Sequence, residues 1–271
     1  MDLAFLFGML LLTGALGGLS SGLFGVGGGF VVVPSLLYVF HTAGYDSDGI
    51  IFIAIGTSLA TIIVASTRAA LAHRRLGSLN TEFLRSWLPW LAIGTVLGVS
   101  LTSVVSSEEL KLIFAVGVAI YSVFFLFPRM FENIGFDHLP TGILRASLGV
   151  VIGGISALLG IGGGTPIVIT MTLCGRSIVE SVGTAAGVGC IIGVLGAIGF
   201  MIIGISQTIA GAPPGTVGFI NVPALLAISA VSVITAPAGA KLAHRLDTDR
   251  LKQCFGFYLI SVATIILRQT L

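Results

Sequence analysis

Charge is what this chain has least of. Asp, Glu, Lys and Arg make up 9% of its 271 residues, where a soluble domain carries roughly 25%. So few polar groups cannot cover a water-soluble globule. Cysteine is scarce as well. Cys174, Cys190 and Cys254 are scattered without C-x-x-C spacing, so neither a zinc site nor a disulfide framework is indicated. Strand-period alternation is missing, which argues against a barrel. No basic arm or aromatic-basic patch points to nucleic acid. His41, His73, His138 and His244 lie in or beside expected loops, and no metal or cofactor is expected. Met1-Asp2-Leu3 opens without a positive region before the apolar run, so the first segment is expected to belong to the mature protein.

What remains is apolar. Hydrophobic residues make up 55% of the chain and mean hydropathy is +1.10. The composition predicts an all-α polytopic membrane protein with the lipid bilayer as its surroundings, since a helical span needs about 20 apolar residues. Apolar segments run over 3–40, 50–70, 87–105, 110–127, 141–173, 178–205, 222–240 and 251–267. Four precede a polar linker and four follow it. The expected organisation is one repeat over 1–128, a linker over 129–140 and a second repeat over 141–271.

The two halves share more than a segment count. Ser21-Gly22-Leu23-Phe24-Gly25-Val26-Gly27-Gly28-Gly29 returns 135 positions later as Ser156-Ala157-Leu158-Leu159-Gly160-Ile161-Gly162-Gly163-Gly164. Gly56-Thr57 matches Gly183-Thr184. Gly77-x-Leu79-Asn80, Gly98, Leu110-Lys111 and Phe114 all find partners at a single offset of 141.

Charge sets the orientation. The loop after the second segment holds Arg68, Arg74, Arg75 and Arg85, and its counterpart, 205–219, holds none. The next loop reverses this: Glu108, Glu109 and Lys111 in the first half face Lys241, Arg245, Arg250 and Lys252 in the second. Short basic loops stay cytoplasmic, so the repeats are expected to have inverted topology. The first segment of each repeat must then start and end on one side, as a glycine-broken helical hairpin. A single kinked crossing is the alternative, and it requires one loop to be misassigned.

The chemistry is expected at the breaks. Hydrocarbon cannot satisfy free backbone groups, so a helix breaks at membrane depth only where protein or water covers the break. Matched breaks in two halves point to a transporter's site. Gly27-Gly28-Gly29 and Gly162-Gly163-Gly164 each precede a short apolar run. If each run is a half-helix, its free N–H groups and positive dipole end form an anion site without a basic side chain. Substrate contacts are therefore expected from Ser21, Gly25, Val26, Gly27, Gly28 and Gly29, from Ser156, Gly160, Ile161, Gly162, Gly163, Gly164 and Thr165, and from the hydroxyls Thr57, Ser58 and Thr184 early in the next helices. Those hydroxyls also commonly bond back to their own helix carbonyls. Other glycines read as packing: Gly14, Gly18 and Gly22; Gly94 and Gly98; Gly149 and Gly153. Asn80 and Asn221 each precede an apolar helix and read as N-caps, the second followed by Pro223. No Asp, Glu, Lys or Arg falls in mid-segment. Proton relays usually use intramembrane carboxylates, so the membrane potential alone is expected to drive an anion outward.

These motifs resemble the TauE/SafE family of membrane permeases, described as sulfite exporters and organosulfur anion transporters. The matching residues are S-G-L-F-G-V-G-G-G-F with Pro34, A-I-G-T-S-L-A over 54–60, His73-Arg74-Arg75 before Gly77-x-Leu79-Asn80, and S-A-L-L-G-I-G-G-G in the second half. The second copy departs by placing Thr165-Pro166 where the first has Phe30-Val31. The resemblance implies a plasma (inner) membrane location and a small anionic substrate, sulfite or an organosulfur anion. It implies export through a central site rather than catalysis. An anion channel, or a permease for another small carboxylate or sulfur oxyanion, uses the same half-helix ends.

Overall fold

The computed structural model describes residues 3–127, 138–207, 209–245 and 248–270. Most of the expected linker lies outside them. The described chain forms α1 (Leu3–Phe24), α2 (Gly29–Thr42), α3 (Ile50–Arg75), α4 (Thr81–Leu101), α5 (Ser107–Leu126), α6 (Gly142–Leu158), α7 (Gly164–Leu173), α8 (Ile178–Ser206), α9 (Val222–Ala243) and α10 (Thr248–Thr270). Six of these helices, α1, α3, α4, α5, α8 and α9, are long and apolar enough to cross a membrane. One feature was not expected from the sequence. Thr216–Val217 and Ile220–Asn221 pair as a two-residue antiparallel ribbon before α9.

Polar residues cap four helices, and α4 and α5 begin earlier than the apolar runs expected for them. The Asn80 side chain accepts the Phe83 N–H (2.8 Å) and the Asn221 side chain accepts the Ala224 N–H (3.0 Å). Ser106 and Glu109 form a capping box at the start of α5, and Ser177 caps α8. Each cap satisfies donors that a helix leaves open at its N-terminus.

Helix α3 is the interior of the molecule. Of its apolar window 83% is buried, against 33% for α1, α4 and α9. It crosses α8 antiparallel: Gly196 lies on Leu59, Gly189 on Ser66 and Gly183 on His73. Two glycine stripes dock the outer helices. Gly14, Gly18 and Gly22 of α1 lie against the α9 backbone near Ile228, Ser232 and Ala236. Gly94 and Gly98 of α4 lie on Val150 and Gly154 of α6, whose Gly153 returns the contact at Leu91. Both pairs run parallel. A Cβ at any of these positions would overlap a neighbouring backbone, so these glycines serve close packing.

The helix ends fall into two groups. His73 and His244 meet at a tilt with ring centroids 5.5 Å apart, which brings the basic ends of α3 and α9 together. At the opposite end, Gly49 meets Ile209 and Gly211 faces Ser47. Met9 of α1 and His41 of α2 line one cavity there, so α1 and α2 start and finish at the same end. Helix α6 starts, and α7 finishes, at the histidine end. The two turns differ in detail. Helices α1 and α2 pack as a hairpin, with Gly28 against the Gly17 carbonyl. Helices α6 and α7 diverge, α6 onto α4 and α7 onto α8.

Candidate functional site

The turn between α1 and α2 exists because only glycine adopts its backbone freely. Gly25, Gly27 and Gly28 have φ of 68°, 78° and 85°, a region that costs other L-residues steric strain. In the second turn Gly160 and Gly163 do the same at 63° and 69°. Helix α2 starts after Gly28 and α7 after Gly163, with no side chain capping either. The first-turn N–H groups of Gly29 and Phe30, and of Gly164 and Thr165, therefore have no intrahelical acceptor.

The two turns interlock at mid-height of α3 and α8. A Cβ on Gly29 would overlap the Gly160 carbonyl oxygen, and a Cβ on Gly164 would overlap the Gly25 carbonyl oxygen. Each half-helix thus starts on a carbonyl of the opposite turn. The packing onto the interior helices is equally reciprocal: Gly25 lies on Val182 of α8 and Gly160 on Ile55 of α3. Ser58 ties the arrangement by donating to the Gly160 carbonyl at 2.8 Å. Val26 and Ile161 are fully buried, and every residue from Leu23 to Val33 and from Leu159 to Thr165 is buried.

Four hydroxyls in this interior have no hydrogen-bond partner among the described residues: Ser21, Ser66, Ser156 and Thr165. All four are 0% exposed. Ser156 Oγ lies 3.4 Å, and Ser66 Oγ 3.3 Å, from where a Cβ would stand on Gly163 and Gly27 respectively. An unsatisfied buried hydroxyl costs about 1–3 kcal/mol, and Ser66 and Ser156 bear that cost beside the two glycine turns. Ser66 was not singled out in the sequence. Its only signal is a small polar residue in the apolar run of α3, and its nearness to Gly27 depends on how the first turn packs on α3.

Thr57 and Thr184, also expected as contacts, have hydrogen-bond partners in the opposite half. Thr57 Oγ1 accepts the Asn221 N–H (2.8 Å) and Thr184 Oγ1 accepts the Asn80 N–H (3.0 Å). Each threonine braces the cap of a helix in the other half. The surroundings of the two turns also differ. Phe24 and Phe30, flanking the first, pack on Phe255 with centroids 5.0 and 6.5 Å away. Phe30 also meets Tyr121. The second turn has Leu159 and Thr165 in those places.

A cavity lies toward each end. One, of about 550 Å³, is lined by Tyr38, His41, Asp46, Lys111 and Tyr258, and the Tyr258 hydroxyl donates to the Phe30 carbonyl at 3.5 Å. The other, of about 620 Å³, is lined by Ser78, Asn80, Glu82, Ser177, Glu180 and His244. Buried, matched helix breaks between two end cavities define a multi-pass membrane transporter.

Comparison with known proteins gives the family. The family model for the sulfite exporter TauE/SafE matches residues 10–266, and the chain belongs to that family. A probable membrane transporter protein of Haemophilus influenzae is 34% identical over 260 residues, covering 94% of this chain and 96% of the relative. Proteins of the same description from Bacillus subtilis and Methanocaldococcus jannaschii are 27% and 24% identical, covering 96% and 90% of this chain. No solved structure matches.

Proposed function

We propose that the protein carries a small anion, sulfite or an organosulfonate, across the plasma membrane through a site between the N-termini of α2 and α7. The carrying observation is the set of unpartnered buried hydroxyls beside two uncapped half-helix starts. Helix N-termini present N–H donors and roughly half a positive charge each. Two of them, with Ser21, Ser66, Ser156 and Thr165, hold an oxyanion without a basic residue. Gly25 to Gly29 and Gly160 to Gly164 supply the backbone, and Ser58 fixes the second turn. Thr57 and Thr184 act one step back, through the helix caps.

Residues 1–128 and 141–271 act as repeats of inverted topology. The antiparallel crossing of the matched helices α3 and α8 supports this, because an axis along the membrane normal would leave them parallel. So does the gathering of Arg74 and Arg245 at one end. The sealed turns between two cavities suit a carrier that opens to each side in turn. The family description supports sulfite and export. Reconstituted protein should show saturable sulfite flux and counterflow. Flux that neither saturates nor shows counterflow would establish a channel instead.

A further inference from the structure

A titratable chain links the cavity at the basic end to the first glycine turn. His73, on the last turn of α3, is 0% exposed. Its Nε2–H donates to the Gly22 carbonyl of α1 at 3.0 Å, three residues before Gly25. A carbonyl only accepts, so this bond fixes the tautomer and leaves Nδ1 to face Ser78 Oγ at 3.0 Å. Ser78 Oγ in turn meets His244 Nε2 at 3.2 Å. His244 is exposed and lines the 620 Å³ cavity.

The cluster accommodates His73 in either protonation state. With neutral His73, the Ser78 hydroxyl donates to Nδ1. With protonated His73, Nδ1–H donates to Ser78 Oγ, and the hydroxyl proton turns to the His73 carbonyl, 3.2 Å away. His73 Nδ1, His73 Nε2 and Ser78 Oγ keep a partner in both states, which a purely structural buried histidine does not require. Other ionisable groups surround the cluster. Glu82 and Glu180 lie on the cavity wall, Glu180 accepting from Asn80 Nδ2 at 2.8 Å. Arg74, Arg75, Lys241 and Arg245 are exposed nearby. Helix α1 offers the Gly22 carbonyl and no ionisable side chain, and α8 meets His73 with the Gly183 backbone.

We propose that His73 is a proton-binding site, loaded through His244 and Ser78, and that a proton accompanies each transported anion. A proton arriving on His244 makes an imidazolium. Its Nε2 proton passes to Ser78 Oγ as the hydroxyl's own proton passes to His73 Nδ1. One N–H and one O–H bond break, one of each forms, and the positive charge moves from His244 to His73. Ser66, on the same helix two turns before His73, stands about 10 Å along the axis from it. The imidazolium charge then sits about two helical turns from the anion. No carboxylate falls in mid-segment, where proton relays usually place one, and this imidazole takes that role.

The inference rests on the anion reading, and one assay separates the two. Proteoliposomes containing a trapped pH dye are given a gradient of isethionate, a strong-acid anion that carries no proton itself. Sulfite is run alongside with protein-free vesicles subtracted. Wild-type protein should move about one proton per anion. His73→Gln keeps a donor for Gly22 but cannot hold the charge, and the proton-to-anion ratio should fall at least tenfold. His244→Gln, an exposed change that spares the core, should lower the ratio likewise if the buried variant fails to fold. Anion movement without protons in wild-type protein overturns the inference and leaves the transporter reading intact. So does a variant that slows both fluxes at an unchanged ratio, which marks a structural role. Absence of flux with both anions overturns the anion reading and this inference with it.

Discussion

Removing a buried hydroxyl ordinarily harms a protein, and here it should not. Ser66 Oγ and Ser156 Oγ are buried with no partner, so the folded protein already bears their desolvation cost of about 1–3 kcal/mol each. Ser66→Ala and Ser156→Ala should leave anion-free stability unchanged or raise it by up to that amount. Binding should move the other way. A hydrogen bond to a charged group contributes about 1.5–3 kcal/mol, equivalent to roughly 10- to 150-fold in Kd. A carrier must release its cargo, so a wild-type Kd near 1 mM, about −4 kcal/mol, is expected. At 100 mM sulfite, wild-type protein should gain about 2.7 kcal/mol of apparent stability. A tenfold weaker variant should gain about 1.4 kcal/mol, and a 150-fold weaker one about 0.3 kcal/mol. The assay is unfolding of the purified protein with and without sulfite. Ser58→Ala is the control, because Ser58 has a partner in Gly160. It should lose about 1 kcal/mol without anion. Full sulfite-dependent stabilisation in both Ser66→Ala and Ser156→Ala would refute the site. A loss above 2 kcal/mol without anion would show that the hydroxyls have structural partners.

Further tests probe the architecture. Gly164→Ala should destabilise by about 1–3 kcal/mol or more through overpacking, since its Cβ meets the Gly25 carbonyl, whereas Gly8→Ala, with open space around it, should be neutral; equal melting temperatures would dismiss the interlock. Thr57→Val and Thr184→Val each orphan a backbone N–H of the opposite half and should cost about 1–3 kcal/mol in urea or thermal unfolding. An unchanged midpoint would mean that the N–H finds water instead. In a cysteine-free background, cysteines at positions 74 and 245 should label from one side and a cysteine at 213 from the other. Labelling of 74 and 245 from opposite sides would refute the inverted repeats.

The sequence by itself determined the class, the helices and the breaks. Charge at 9% left a membrane as the only solvent in which this chain can fold. Asn80 and Asn221 announced their helices because a cap is local chemistry, fixed by three or four neighbouring residues. The triple glycines announced the breaks for the same reason: positive φ is a property of one residue. The glycine stripes on α1, α4 and α6 were legible because helical period places every fourth residue on one face. What only the tertiary structure decided is which distant atoms meet. Thr57 and Thr184 each accept an N–H from the other half, a pairing no local motif announces. Ser66 looked like nothing until the fold set it beside Gly27 of the first turn and Gly189 of α8. His73 read as part of a basic loop, and the fold buried it against Gly22, with Ser78 and His244 completing a chain across 166 positions. Local backbone energetics are written in a few consecutive residues. The partner of a buried polar group is chosen by packing between helices, and no short stretch of sequence carries that choice.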